Sequence, residues 1–189
     1  GKTLNIIPLV MMHRVKDKKV YDETQKAVLA FNAPISLIFD EPDMYGTLDK
    51  AVEDMEKIFL CAELGGGGTA HPDHIKITDR GIVNVLRHFK ILKDYKKNKE
   101  SELNTILLDT PNSKSFHLSE DEGMIEHIHP LGTFVKKGEE IAKIYNFKNL
   151  KHQPKIYKAN CSGIIFSHHF PGLIATGDCL SVIGVEQEL

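Results

Sequence analysis

Apolar residues fill positions 4–12 almost without a break, interrupted only by Asn5 and Pro8. A run this short and continuous reads as a strand buried on both faces, as in a parallel sheet. Pro8 cannot donate to a ladder, so it calls for an edge position or a bulge. Similar runs at 35–39 and 57–62 predict two more buried strands. Between them the spacing becomes helical. Asp22-Glu23-Thr24-Gln25 has the form of a capping box and predicts a helix to about Asn32, with Ala27, Val28 and Phe31 turned inward. Thr47 is placed to cap a short helix in which Leu48, Ala51, Val52 and Met55 fall on one face. Pro72 suits the first turn of a third helix ending near Leu92, with Ile75, Ile82, Val83, Leu86 and Phe89 as its apolar stripe. Gly81 within that stripe is either a weak point or a place of close packing. Strand and helix thus alternate over 1–92, which implies a parallel sheet with right-handed crossovers.

The pattern changes after position 93. Residues 94–102 are charge-rich, lack apolar periodicity and read as a linker. From 103 onward short strands follow at close spacing: 103–109, 115–118, 123–128, 133–136, 140–145, 155–159, 163–166 and 179–184. Regular short strands with glycine turns predict a small all-β domain. It carries a weak repeat, in which Gly123, Gly132 and Gly138 correspond to Gly163, Gly172 and Gly177. Two such units can interlock as halves of one sandwich, a pattern resembling the barrel-sandwich hybrid of biotinyl and lipoyl carrier domains. The expected organisation is an α/β part over 1–93, a linker over 94–102 and an all-β sandwich over 103–189.

Composition narrows the class. At 41% hydrophobic and 26% charged the chain has ordinary globular composition. A net charge of −2 gives no reason to expect nucleic acid or an anionic membrane as partner. The longest apolar run is too short to span a bilayer, and no signal-peptide pattern is visible. Cys61, Cys161 and Cys179 are odd in number and form no C-x-x-C, which reads as free thiols in a reducing cytoplasm. The chain opens on Gly1 and enters a strand-like run by Leu4, so the natural protein is expected to begin further upstream.

The candidate chemistry centres on Glu63, which ends an apolar run and is followed at once by Gly65, Gly66, Gly67 and Gly68 after Leu64. A carboxylate at the carboxyl end of a strand, beside a loop without side chains, lies where open α/β sheets bind ligands. The plain alternative is a solvated Glu opening a loop. Thr47, Asp40 and Glu41 are expected at the same sheet edge, where substrate contact competes with helix capping and solvated charge. His71 follows the glycine loop and is a candidate for the pocket lining. The pairs His71/His74, His127/His129 and His168/His169 have suggestive spacing, but none supplies three or four metal ligands.

Two stretches carry a resemblance. Ala62-Glu63-Leu64-Gly-Gly-Gly-Gly-Thr69 and Arg80-Gly81-Ile-Val-Asn84-Val-Leu86-Arg87-His88, followed by a sandwich-like tail, resemble the succinylglutamate desuccinylase/aspartoacylase family. The glycine form is most similar to its deacetylases of N-acetyl-diaminobutyrate. The resemblance implies a carboxypeptidase-like (zinc exopeptidase) parallel or mixed sheet with helices, a zinc cofactor and a small N-acyl amino acid as substrate. It also implies hydrolysis of the substrate amide, with Glu63 as general base to a metal-activated water. Thr47, Gly65, Gly66 and His71 are the candidates for substrate contact. The family's His-x-x-Glu and Asp-Leu-His-Ser-Gly-type zinc motifs do not occur here. No metal ligand is therefore expected in this chain; the ligands are expected upstream, and the chain resembles the C-terminal part of such an enzyme. The competing reading is a carrier module with Lys148 as the modified residue, although the tight Met-Lys-Met context is absent. A third role, packing of the β domain beside the site or against another subunit, is compatible with the first and with a homo-oligomer.

Overall fold

The computed structural model describes residues 3–39, 46–93, 104–148 and 151–188. The expected linker at 94–102, and Asp40 and Glu41, lie outside the described residues. The chain forms two compact units: Gly1–Ile7, Gly65–Thr69 and Thr110–Glu186 make one, and Pro8–Leu64, Ala70–Asp109 and Gln187–Leu189 the other.

The run at 4–12 is two strands rather than one, β1 (Leu4–Ile6) and β2 (Leu9–Met12). Ile7 and Pro8 separate them, and the chain changes unit there. In the α/β unit, β2 is followed by α1 (Lys18–Phe31), β3 (Ile35–Phe39), α2 (Leu48–Glu53), β4 (Cys61–Glu63), α3 (Pro72–His88) and β5 (Ile106–Thr110). The strand order is β5-β3-β2-β4. β2 and β3 are parallel, with Leu9 opposite Ile35 and Met12 opposite Ile38. The sheet is mixed, within the parallel or mixed sheet that the resemblance implies, and β4 is the strand that departs from the parallel pattern suggested by the strand–helix alternation. It runs antiparallel to β2, with Leu9 opposite Glu63 and Met11 opposite Cys61.

α1 begins earlier than the capping-box pattern predicts. Its N-cap is Asp17, whose side chain accepts from the Val20 amide at 2.9 Å. Asn32 ends the helix in the left-handed region, and Ala27, Val28 and Phe31 are buried as expected. They pack with Val10, Met12, Ile38 and Leu107, and with Ile77 and Val85 of α3. Close packing explains Gly81, since a Cβ there would lie 2.3 Å from the Phe31 ring. The expected stripes of the other helices are only partly covered. Leu48 and Met55 are exposed, α2 buries none of its side chains, and Ile75 and Ile82 are half exposed on α3.

The all-β unit contains β6 (Phe116–Leu118), β7 (Gly123–His127), β8 (Phe134–Val135), β9 (Glu140–Tyr145), β10 (Lys155–Lys158), β11 (Gly163–His169), β12 (Leu173–Ile174) and β13 (Cys179–Glu186). One sheet has the order β10-β9-β7-β12. In the other set β1, β11 and β13 pair in that order, with β6 on β13 and β8 on β11. The repeat is real. In each copy the first and third strands pair with each other, β7 with β9 and β11 with β13. The short middle strand crosses to the other copy, β8 to β11 and β12 to β7. Ile125, Val135, Ile141 and Ile144 from one copy meet Ile165, Ile174, Leu180 and Ile183 from the other in a single core. These are equivalent positions, so neither half closes a core alone.

Candidate active site

Glu63 is the last residue of β4, and the antiparallel register fixes where it stands. It lies beside Leu9, where β2 begins, not past the end of β2. Side chains alternate along a strand. Cys61 and Glu63 therefore share one face of the sheet with Leu9 and Met11, while Val10 and Met12 occupy the α1 face. Thr47 is not at the same sheet edge as Glu63, as the sequence pattern implied. It lies beyond the other end of the strands, on the α2 side.

That end holds a cluster no sequence motif announces. His13 follows β2 and is 3% exposed. Its Nδ1 lies 2.9 Å from Glu53 Oε1, and its Nε2 lies 3.6 Å from Asp49 Oδ2. An ionised carboxylate only accepts, so Nδ1 carries the proton donated to Glu53. Thr47 caps α2, its Oγ1 accepting from the Lys50 amide at 3.4 Å, and its hydroxyl also donates to the Asp49 carboxylate. Burial pushes Asp49 up. The Thr47 hydroxyl, the amides of Lys50 and Asp49 and the nearby His13 outweigh it, so the carboxyl is held below its usual range. Cys61 is half-buried between the two carboxylates. Burial first, then the charges of Glu63 and Asp49, push its thiol up, so it stays protonated and is a poor nucleophile.

The other expected residues have local explanations. A Cβ on Gly66 would lie 1.9 Å from the Leu4 carbonyl oxygen, so the protein's own β1 backbone occupies that approach. Gly65 is buried in the same loop, and the Gly67 amide donates to the Leu4 carbonyl at 3.1 Å. His71 is the N-cap of α3, its Nδ1 accepting from the Asp73 amide at 3.3 Å. Lys148 is exposed and pairs with Glu122. Among the described residues no group of three or more His, Cys, Asp or Glu side chains is arranged to hold a metal ion.

The remaining histidine pairs are structural. His127 and His168 stack with ring centroids 4.0 Å apart. Burial, and then the neighbouring His127 and His129, bring His168 down to about 3; burial lowers His127 as well. Both rings are neutral at pH 7, whereas unfolded histidines titrate near 6.5. Their stabilisation is therefore complete above about pH 6.5 and is lost as the pH falls toward 3. Thermal unfolding should show a melting temperature that falls between pH 7 and pH 4. A His168→Asn variant should show a shallower dependence; an identical pH dependence would contradict this assignment.

Comparison with known proteins places this geometry. Residues 1–89 match the sequence profile of the succinylglutamate desuccinylase/aspartoacylase catalytic domain. Residues 1–89 thus resemble that family's catalytic domain, as the Glu63 and Arg80–Leu86 motifs implied. It is 35% identical over 188 residues to the N-alpha-acetyl-L-2,4-diaminobutyric acid deacetylase of Halomonas elongata, covering 97% of this chain and 53% of that protein. Its fold matches the product-bound ectoine utilization protein EutE (DoeB) of Ruegeria pomeroyi with a TM-score of 0.90 at 38% identity, covering 98% of this chain and 55% of that one. It also matches a succinylglutamate desuccinylase of Silicibacter sp. TM1040 with a TM-score of 0.88 at 37% identity, over 99% of this chain and 56% of the other. The chain thus spans about half the length of these relatives. The names of these relatives favour the hydrolase reading over the lysine-carrier reading.

Proposed function

We propose that this chain supplies the general base of a hydrolase that removes the acyl group from an N-acyl amino acid. The observation that carries the reading is Glu63. It closes a short strand within the stretch matched by the family profile, on the sheet face opposite α1. An ionised carboxylate in this position takes a proton from the attacking water and returns it to the leaving amine as the C–N bond breaks. Such a substrate is small, and no helix among the described residues is long and apolar enough to cross a membrane. A cytoplasmic location agrees with the three free thiols.

The family resemblance implies zinc as the activator of that water. The side chains around Glu63 do not fit a zinc ion. Cys61 is a protonated thiol, and among the described residues no group of three or more His, Cys, Asp or Glu side chains is arranged to hold a metal ion. No step is assigned to the metal here, and its donors are proposed to lie in sequence outside these 189 residues. The reading is tested by incubating the full-length protein with N-acetyl-2,4-diaminobutyrate or N-succinylglutamate and following acid release by NMR. Turnover of one of them is expected. No release of either acid, with zinc supplied, would overturn the reading.

A further inference from the structure

We propose that α3 is the contact surface for a second copy of this chain, with the two α3 helices packed antiparallel.

α3 commits one face to its own unit. Ile77 and Val85 pack against the core that α1 shares with the sheet, and Gly81 lies against the Phe31 ring. A second apolar row runs beside that face. Ile75 is 51% exposed, Ile82 50% and Phe89 37%, and Leu86 is half-buried among them. Ile75, Ile82 and Phe89 recur at every seventh position, and Leu86 divides the second interval into steps of four and three. That is the spacing by which two helices interdigitate at a shallow angle. A single exposed isoleucine is ordinary, but a contiguous apolar row at this period marks an interaction surface.

Charge selects a copy of the same helix as the occupant. Asp73 is already paired with Lys76 at 3.0 Å. Asp79, and Lys90 in the turn after the helix, are exposed and form no ion pair among the described residues. Setting Ile82 against Leu86 of a second, antiparallel copy puts the two-fold axis level with Asn84. Asp79 then stands opposite Phe89 of the second copy and next to its Lys90, while Ile75 packs on the aliphatic stem of its Lys93. The two-fold axis makes each contact twice. Antiparallel packing also brings the positive N-terminal end of each helix beside the negative C-terminal end of the other. A parallel pair would instead set Asp79 against Asp79 and Lys90 against Lys90.

The contact is small. A helix of 17 residues spans about 25 Å, so the pair buries less than the roughly 800 Å² per partner of a standard interface. The dimer is therefore reversible, with a Kd on the order of micromolar.

The test is sedimentation velocity of the full-length protein from about 1 to about 100 μM, where the wild type is expected to pass from monomer to dimer. Ile82→Asp should weaken the dimer by about tenfold or more. Thermal unfolding should stay near that of the wild type, because Ile82 is half exposed. Asp79→Lys should weaken the dimer as well, and adding Lys90→Asp should restore it, since the exchanged charges meet again across the axis. A wild type that stays monomeric throughout would overturn the inference, because other sequence would then cover the row. A dimer that Ile82→Asp leaves unchanged, or a charge exchange that restores nothing, would overturn it as well.

Discussion

Glu63→Gln in the full-length protein is expected to lower kcat for amide hydrolysis by roughly 10²- to 10⁴-fold, with little change in KM. Glutamine keeps the size of the side chain and its capacity to hydrogen-bond, but it cannot take a proton from water. The fold should be untouched. Glu63 is half-buried at the end of a three-residue strand, and its pairing with Leu9 is made by the backbone. Thermal unfolding should therefore move by no more than about 0.5 kcal/mol, as for ordinary surface substitutions. Glu63→Asp, which withdraws the carboxylate by one methylene, should fall between the two in rate. Steady-state kinetics with the three proteins decide the matter. A loss under tenfold for Glu63→Gln would remove Glu63 as the base.

The largest effect on stability is expected from Gly66→Ala. The added Cβ would meet the Leu4 carbonyl oxygen at 1.9 Å and the Asn5 Cα at 2.7 Å. Both are backbone atoms of a strand already fixed to β11, where Leu4 pairs with His169 and Ile6 with Ser167. Neither can swing aside as a flexible side chain would. Either the loop withdraws and loses the bond from the Gly67 amide to Leu4, or β1 shifts against β11. A cost of roughly 2–4 kcal/mol follows. For a chain of this size it lowers the melting temperature by roughly 5–15 °C. Gly172→Ala is the control. It has open space around its Cβ position and should change stability by no more than about 0.5 kcal/mol. Equal melting temperatures for the two variants would contradict the packing of the loop on β1.

Much of the fold is legible in the sequence because hydrophobic spacing reports which residues share a buried face. The strand at Ile35–Phe39 and the one at Glu140–Tyr145 coincide with their apolar runs. The repeat is visible because both copies need small residues and apolar residues at the same places in the core they share. Direction is not legible. Alternating strands and helices suggest a parallel sheet by default, yet β4 is antiparallel, and nothing in its three residues encodes that. The consequence reaches the site, since it separates Glu63 from Thr47 along the strands. Nor does periodicity say whether a face is covered. Leu48, Met55, Ile75 and Ile82 keep helical spacing and remain open to solvent. At the start of α1 two aspartates compete as caps. Asp17 prevails because its carbonyl also accepts the Tyr21 amide, which brings the turn before Asp22 into the helix.

Glu63 stands out in the sequence as the candidate base because a carboxylate and four glycines form one contiguous motif. The His13, Asp49 and Glu53 cluster does not, since its members lie on β2's exit and on α2 and meet only through the fold. Thr47 and His71 are polar residues that the sequence pattern alone assigns to the substrate pocket. The structure gives each of them a cap to form, and Thr47 also fastens Asp49.

The central claim is a division of labour: this chain brings the proposed base, and other sequence brings the metal donors. Elemental analysis of the 189-residue protein, purified without chelator and dialysed, tests it most directly. The account predicts far less than one zinc per chain. About one zinc per chain that survives dialysis would contradict it and place a complete metal site within these residues.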